Sequence, residues 1–133
     1  MGETRTLYRP VGVAELDLIR ASGMRRFPPR LAGQPIFYPV LTRGYAQRIA
    51  REWNTEDPAS GFAGFVTAFD MDAEYLRQFD EHVVGGEEAR ELWVPAEGLE
   101  AFNDHIVGAI RVLDAYHGAA HDGPRPDPEA FGQ

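Results

Sequence analysis

The sequence predicts one α+β domain, built from a mixed, mostly antiparallel sheet, two main helices and several short ones. The 133 residues are enough for one hydrophobic core and too few for two. Apolar residues recur at steps of three or four in some stretches, as in helices, and at steps of two in others, as in strands. Helical stretches come early and strands dominate late, which favours an α+β core over a doubly wound parallel sheet.

The first predicted elements are a strand over Thr6–Arg9 and a helix that begins shortly after it. Val13, Leu16 and Ile19 recur at steps of three and would form one apolar face of that helix. Gly23 is a typical residue at the C-terminal end of such a helix.

Prolines and glycines then mark residues 24–35 as a loop, since neither a helix nor a strand can run through them. The loop carries the arginines Arg25, Arg26 and Arg30. A strand is predicted over Ile36–Leu41, where Pro39 restricts it to a sheet edge or a strand end.

The second main helix is predicted to start after Thr42, which is a suitable N-cap. Tyr45, Ile49 and Trp53 follow at steps of four and predict one packed helix face. The helix is expected to end near Asn54.

The second half of the chain predicts mostly strands. A strand over Phe65–Met71 is followed by Asp72, which can cap a short helix. The stretches Glu81–Val84 and Arg90–Val94 flank a glycine turn and predict a hairpin. A last strand is predicted over Ile106–Ala115, after a short helix that Pro95 would begin.

Residues 1–116 are therefore expected to form the domain. Residues 117–133 are rich in proline, glycine and charged side chains, and predict a disordered C-terminal tail.

Composition excludes several classes of chemistry. Cysteine and lysine are both absent, which excludes disulfides, thiolate metal sites, cysteine nucleophiles and phosphate-loop or Schiff-base lysines. The formal net charge of −8 argues against nucleic-acid binding. No apolar stretch approaches the roughly 18 residues of a membrane span, and the first residues carry no secretory core. We therefore expect a soluble, cytoplasmic protein with no membrane partner and no metal.

Two sets of side chains could serve a nucleotide site. Arg9 ends the first strand directly after Tyr8, where a guanidinium can bind phosphate or ribose oxygens. A surface position or a structural ion pair is the alternative for this arginine. The aromatic side chains Phe37, Tyr38 and Tyr45 can hold a planar ring or can simply pack in the core.

A third feature is a glutamate in the second strand of the hairpin. Alternation along the strand places Leu92 and Val94 on one face, and Glu91 and Trp93 on the other. A carboxylate beside an indole is costly unless it has a partner or a function. The alternative is an exposed strand face on which Glu91 pairs with an arginine.

The order of these features resembles the ADP-ribosyltransferase fold: an aromatic–arginine pair on the first strand, an aromatic second strand followed by a helix, and a glutamate on a late strand. The chain is also similar to a group of short actinobacterial proteins catalogued loosely as ADP-ribosylation proteins. The similar stretches lie within residues 7–118 and are Leu7–Pro10, Gln34–Leu41 and Glu91–Glu97.

The resemblance implies that NAD is the substrate. Arg9, with Tyr8 beside it, would hold the ribose or phosphate, and Tyr38 or Tyr45 would stack on nicotinamide. Glu91 would be the catalytic residue, bound to the ribose 2′-hydroxyl. Its carboxylate would stabilise the oxocarbenium-like transition state as nicotinamide leaves.

The pyrophosphate of NAD needs cations as well. Arg25, Arg26 and Arg30 are the candidates, although their loop could equally be a solvated one that Phe27 packs down.

The sequence also departs from the pattern of the arginine-modifying members. Their Ser-Thr-Ser stretch is replaced by Tyr38-Pro39-Val40, and their second glutamate by Ala89. Arginine is therefore not the expected acceptor. The domain could transfer ADP-ribose to another group or hydrolyse NAD.

Two other functions stay open at this stage. One is an inactive module of the same fold that binds a nucleotide or a protein. The other is an unrelated metal-dependent or hydrolytic enzyme, which would need His82 or His105 to meet carboxylates. The acceptor and the oligomeric state are not indicated.

Overall fold

The computed structural model describes residues 2–131, so Met1 of the predicted domain and residues 132–133 of the predicted tail lie outside it. The described strands are β1 Thr4–Val11, β2 Ile36–Phe37, β3 Ala63–Asp72, β4 Glu81–Val83, β5 Arg90–Leu92, β6 Val94–Pro95 and β7 Ile106–His117. The α-helices are α1 Val13–Ala21, α2 Arg43–Glu52, α3 Ala73–Leu76 and α4 Leu99–Asp104. Short 3-10 turns fill some of the connections.

The longest strands form one antiparallel sheet in the order β1-β3-β7. The segment around Val40 extends this sheet on the β1 side. The Tyr8 backbone N–H donates to the Val40 carbonyl at 2.9 Å, and the Val40 N–H donates to the Tyr8 carbonyl at 2.7 Å. Val40 in turn bridges Glu91 of β5, which pairs with β4. The strand pairs are antiparallel, so the predicted α+β class is confirmed.

The two faces of the sheet are buried in different ways. One face carries the main core, in which Phe27, Phe37, Phe69 and Phe102 are almost fully buried and contact one another edge-on or tilted. Helix α2 covers the other face. Burial of apolar surface on both faces is the dominant stabilising term for a sheet of this size.

Helix α2 lies unusually close to β3. The helix presents Ala46 and Ala50, both fully buried, against Val40 and Val66. A Cβ atom at Gly64 would lie only 2.4 Å from the backbone oxygen of Ala50. Glycine at this strand position therefore permits the contact between helix and sheet.

Two predicted elements differ from the observed ones. The predicted strand Ile36–Leu41 is interrupted: β2 ends at Phe37, and Val40 then pairs separately with β1 and β5. Pro39 has no N–H to donate, so a continuous ladder cannot form there. The four-residue spacing predicts Trp53 on the packed face of α2, but Trp53 is 70% exposed because the small side chains Ala46 and Ala50 face the sheet instead.

The C-terminal segment makes specific contacts up to residue 131. The Phe131 ring lies 5.5 Å from the Phe65 ring, and partly buried Phe131 packs against the main core. The two ring nitrogens of His121 lie 2.9 Å from the carbonyl oxygens of Gly61 and Pro124. Disorder of residues 117–133 stays a prediction, and these contacts favour an ordered segment.

Among residues 2–131, no helix has the length and apolar character that crossing a membrane requires.

Asp70 of β3 gives the fold a measurable pH dependence. Its carboxylate accepts hydrogen bonds from Thr6 Oγ1 at 2.6 Å and from the Arg111 guanidinium at 3.2 and 3.3 Å. The Thr6 hydrogen bond, with help from Arg111, lowers the pKa of Asp70 despite the cost of desolvation. Since the pKa is lower in the folded state, ionised Asp70 stabilises the fold above the ordinary aspartate pKa. That contribution is lost as the pH falls through the folded-state pKa.

We expect Asp70→Asn to lower the free energy of unfolding by about 1 kcal/mol near pH 7. The difference from the native protein should shrink below about pH 4, where the carboxyl group becomes protonated. Urea denaturation of both proteins near pH 7 and near pH 3 measures this. An equal loss at the two pH values would contradict it.

Candidate functional site

A cleft of about 780 Å³ opens between helix α2 and the β4–β5 hairpin. Its floor is formed by the sheet edge and its walls by the helix and the hairpin. The lining residues are Arg9, Pro10, Tyr38, Val40, Tyr45, Arg48, Ile49, Trp53, Val84, Ala89, Glu91 and Trp93.

Glu91 is fixed by its position in the sheet. It pairs in register with His82 of β4 on one side and forms a bridge to Val40 on the other. The predicted alternation along this strand is confirmed, because Leu92 and Val94 are buried while Glu91 and Trp93 face away from the main core. The carboxylate is therefore presented to the cleft by a backbone held on both sides.

Two donors orient the Glu91 carboxylate. Trp93 Nε1 donates to Oε1 at 2.8 Å, and the Tyr45 hydroxyl donates to Oε2 at 3.5 Å. Partial burial first, and the negative charge of Glu91 second, raise the pKa of Tyr45. Tyr45 consequently keeps its proton near neutral pH and acts as a donor toward the carboxylate. Each carboxylate oxygen retains further capacity to accept a hydrogen bond.

Aromatic rings form the wall on the hairpin side. The Trp93 indole stacks on His82, with ring centres 3.8 Å apart and planes at 7°. The Tyr38 ring contacts the same indole edge-on, with ring centres 6.4 Å apart. Trp93 and Tyr38 are both substantially exposed, at 43% and 39%. Large aromatic surfaces that face an open cleft are suited to contact a planar ring.

Arg9 of β1 lines the cleft, but its side chain takes the opposite face of the strand from Tyr8 and is engaged there. Its Nε and Nη2 donate to the two carboxylate oxygens of Glu15 at 2.7 and 2.9 Å. Its Nη1 donates to the Tyr38 carbonyl at 3.2 Å, and its guanidinium lies 4.4 Å above the Phe37 ring centre. Three of the five guanidinium N–H groups are thus used within the protein. The bidentate pair holds the guanidinium in one orientation over Phe37, a residue of the main core.

The Arg9–Glu15 pair is largely removed from solvent, with side-chain exposures of 10% and 21%. We expect Glu15→Gln to lower the free energy of unfolding by about 2 kcal/mol, because a nearly buried guanidinium would lose its counter-charge. Asp17→Asn, on an exposed side chain of the same helix, should change stability by less than about 0.5 kcal/mol. Chemical denaturation of the two variants makes the comparison, and equal effects would show that the pair contributes nothing specific.

The structure brings together four of the predicted site residues, namely Arg9, Tyr38, Tyr45 and Glu91. The other predicted residues lie elsewhere. Tyr8 points from β1 toward α2 and packs against the smaller apolar cluster there, since its strand neighbours Leu7 and Arg9 take the opposite face. Arg25 is exposed after α1 and does not line the cleft.

Arg26 and Arg30 are directed to separate hollows. Arg26 donates to Asp104 Oδ1 at 3.0 Å, on a hollow of about 330 Å³ beside α4. Arg30 donates to the Ile36 carbonyl at 3.0 Å, on a hollow of about 340 Å³ that Arg9 also lines. Partial burial and the neighbouring charge of Arg9 lower the pKa of Arg30. The arginine loop thus folds away from the Glu91 side.

The contribution of α2 to this cleft goes beyond Tyr45, which is the only residue of this helix that the sequence predicts for the site. Arg48, which lies in a polar stretch, and Trp53, which the spacing predicts to pack in the core, also line the cleft. The signal was available in the spacing, since positions three, four and eight after Tyr45 fall on one side of a helix.

Comparisons of the chain with models of protein families, with curated proteins and with solved structures find no match. Within residues 2–131, no group of three or more histidine, aspartate or glutamate side chains is arranged to hold a metal ion.

Proposed function

We propose that the protein is an NAD-binding domain of the ADP-ribosyltransferase type. It would cleave the bond between nicotinamide and ribose and transfer ADP-ribose to an acceptor. One observation carries this proposal: Glu91, Tyr45, Tyr38 and Arg9, which come from distant parts of the chain, line a single cleft of about 780 Å³. That volume lies within the range typical of small-molecule sites.

The chemistry of the cleft suits the reaction. When the bond between ribose C1′ and the nicotinamide nitrogen breaks, the electron pair leaves with nicotinamide, which becomes neutral. Positive charge then develops on the ribose ring. A fixed carboxylate stabilises that charge more than it stabilises the substrate, and this difference accelerates the reaction.

Glu91 meets the requirements of this role. Trp93 holds Oε1 at 2.8 Å from the protein side, and the Tyr45 hydroxyl lies 3.5 Å from Oε2, so that the carboxylate is oriented before the reaction begins. Its remaining lone pairs are free to accept a ribose hydroxyl. The exposed rings of Tyr38 and Trp93 offer flat surfaces for nicotinamide.

The arrangement of the sheet supports the same fold type. Three segments lie side by side in the sheet: β1, the segment around Val40, and β5. They are joined by the bridges Tyr8–Val40 and Val40–Glu91. A site formed by residues of all three segments requires that these segments be adjacent.

The acceptor is proposed not to be arginine. The position two residues before Glu91 is Ala89, which is buried and lines the cleft. Glu88 is exposed and lies 3.5 Å from Arg48. A second carboxylate that could hold a guanidinium acceptor beside Glu91 is therefore missing from the cleft lining. Another nucleophile, or water, would attack C1′.

Calorimetric titration with NAD, followed by an assay of free nicotinamide, tests the proposal. We expect binding and a time-dependent release of nicotinamide that scales with enzyme concentration. Absence of both heat and release would overturn the proposal.

A second candidate is favoured by the state of Arg9. Because three of its N–H groups bind Glu15 and Tyr38, this side chain serves the fold more than a ligand. An inactive module of the same fold, which binds a nucleotide or a protein, would retain such a structural pair. Binding of NAD without release of nicotinamide would favour this second function.

A further inference from the structure

The cleft continues past Glu91 along helix α2. Tyr45 and Arg48 of α2, and Trp53 directly after the last residue of the helix, all line the cleft. At about 1.5 Å per residue, Arg48 lies about 4.5 Å beyond Tyr45 along the helix axis, and Trp53 lies about 7.5 Å beyond Arg48. The helix and the residue that caps it thus present a phenol, a cation and an indole in a row over about 12 Å along the helix axis.

Trp53, at the end of this row, is unusually exposed for a tryptophan. Its side chain is 70% exposed, although its backbone N–H is fixed by a hydrogen bond to the Ile49 carbonyl at 2.9 Å. A large indole on a rigid backbone at the rim of a cleft is a ready stacking surface. Trp53 makes no such stack within the described residues, whereas Trp93 is stacked on His82.

Arg48 is the cation of this row, and its guanidinium is available to bind an anionic ligand. It lies 5.5 Å from the Tyr45 ring centre, and its only ion pair among the described residues is a loose one to Glu88 at 3.5 Å. Both partners are exposed, at 42% and 58%, so this pair contributes little and is easily exchanged. Arg9, by contrast, is committed to Glu15.

We infer that this end of the cleft binds the ADP part of the substrate, with Arg48 on the diphosphate and Trp53 stacked on adenine. The inference rests on the proposed function, because it uses Glu91 to place the nicotinamide riboside at the other end. The order of these side chains then matches the order of the groups in NAD. Nicotinamide and its ribose lie at Tyr45 and Glu91, the diphosphate at Arg48, and adenine at Trp53. A guanidinium is suited to phosphate oxygens, and an indole to a purine face.

A comparison of two substrates tests this assignment. Nicotinamide mononucleotide carries the same scissile bond as NAD but lacks the adenylate. We expect Trp53→Ala to raise the KM for NAD about tenfold and to leave that for nicotinamide mononucleotide unchanged, with Trp53→Phe close to native. Arg51→Gln, on an exposed side chain of the same helix, is the matched control and should leave both substrates unaffected.

Tryptophan fluorescence separates this inference from the proposed function. The chain has two tryptophans, so Trp93→Phe leaves Trp53 as the single reporter and Trp53→Phe leaves Trp93. We expect ADP-ribose to quench Trp53 in the Trp93→Phe protein, with a Kd raised about tenfold by an added Arg48→Gln substitution.

The outcomes are distinguishable. Quenching of Trp53 without any nicotinamide release from NAD would keep the ADP-binding assignment while the proposed reaction fails. Nicotinamide release with equal effects of Trp53→Ala on both substrates would keep the reaction and overturn the assignment. Absence of quenching by ADP-ribose would overturn the assignment as well. Circular dichroism verifies that each variant is folded.

Discussion

Replacement of Glu91 by glutamine is expected to slow nicotinamide release from NAD by two to three orders of magnitude. The amide is nearly isosteric with the carboxylate and can still accept from Trp93 Nε1, which holds Oε1 at 2.8 Å. It lacks the negative charge that stabilises the developing cation on the ribose. Removal of one group that acts on developing charge in this way costs roughly 10²–10³ in rate.

The effect should appear in kcat more than in KM, since the charge develops only in the transition state. Steady-state kinetics on NAD measures both constants. Glu87→Gln changes a 91% exposed carboxylate in the same hairpin and provides the matched control. Undiminished release by Glu91→Gln would assign the carboxylate to structure and would contradict the catalytic role proposed for Glu91.

Phe37→Ala is expected to have the largest effect on stability. Phe37 is fully buried, its ring lies 5.2 Å from Phe27 and 5.5 Å from Phe102, and the Arg9 guanidinium lies over its face. Truncation leaves a cavity in the main core and removes the ring below a nearly buried cation. Substitutions of this kind cost about 3–5 kcal/mol.

Tyr38→Ala provides the control for this second prediction. Tyr38 is the next residue along the chain but is 39% exposed, so its removal should lower the free energy of unfolding by less than about 1 kcal/mol. Urea denaturation of the two variants measures the difference. If Phe37→Ala does not fold, Phe37→Leu should show a smaller loss in the same direction. Equal losses for positions 37 and 38 would contradict the assigned packing.

Much of the local structure could be predicted, because it depends on short stretches of sequence. Thr42 caps α2 as expected, and its hydroxyl accepts from the Tyr45 backbone N–H at 3.2 Å. The alternation that separates Glu91 from Leu92 also follows directly from the two-residue period of a strand. Such features need no knowledge of distant contacts.

The features that could not be predicted depend on tertiary packing. A structural ion pair is one of the sequence-based alternatives for Arg9 and is observed, but its partner Glu15 and the contact with the Tyr38 carbonyl come from the packing of other segments. The exposure of Trp53 follows from which face of α2 contacts the sheet, and two alanines decide that contact. Apolar periodicity alone assigned the larger side chain to the core.

The short distance between α2 and the sheet at Gly64 determines the width of the cleft. Because any Cβ at this position would press on the backbone of α2 at Ala50, we expect a substitution there to move the helix away from the sheet. Tyr45, Arg48 and Trp53 would move together with it, relative to Glu91 on the opposite wall. The distance between the two walls of the cleft therefore depends on a buried residue that no ligand would touch. Substitution of Gly64 alone would change the distance from Glu91 to all three of these side chains.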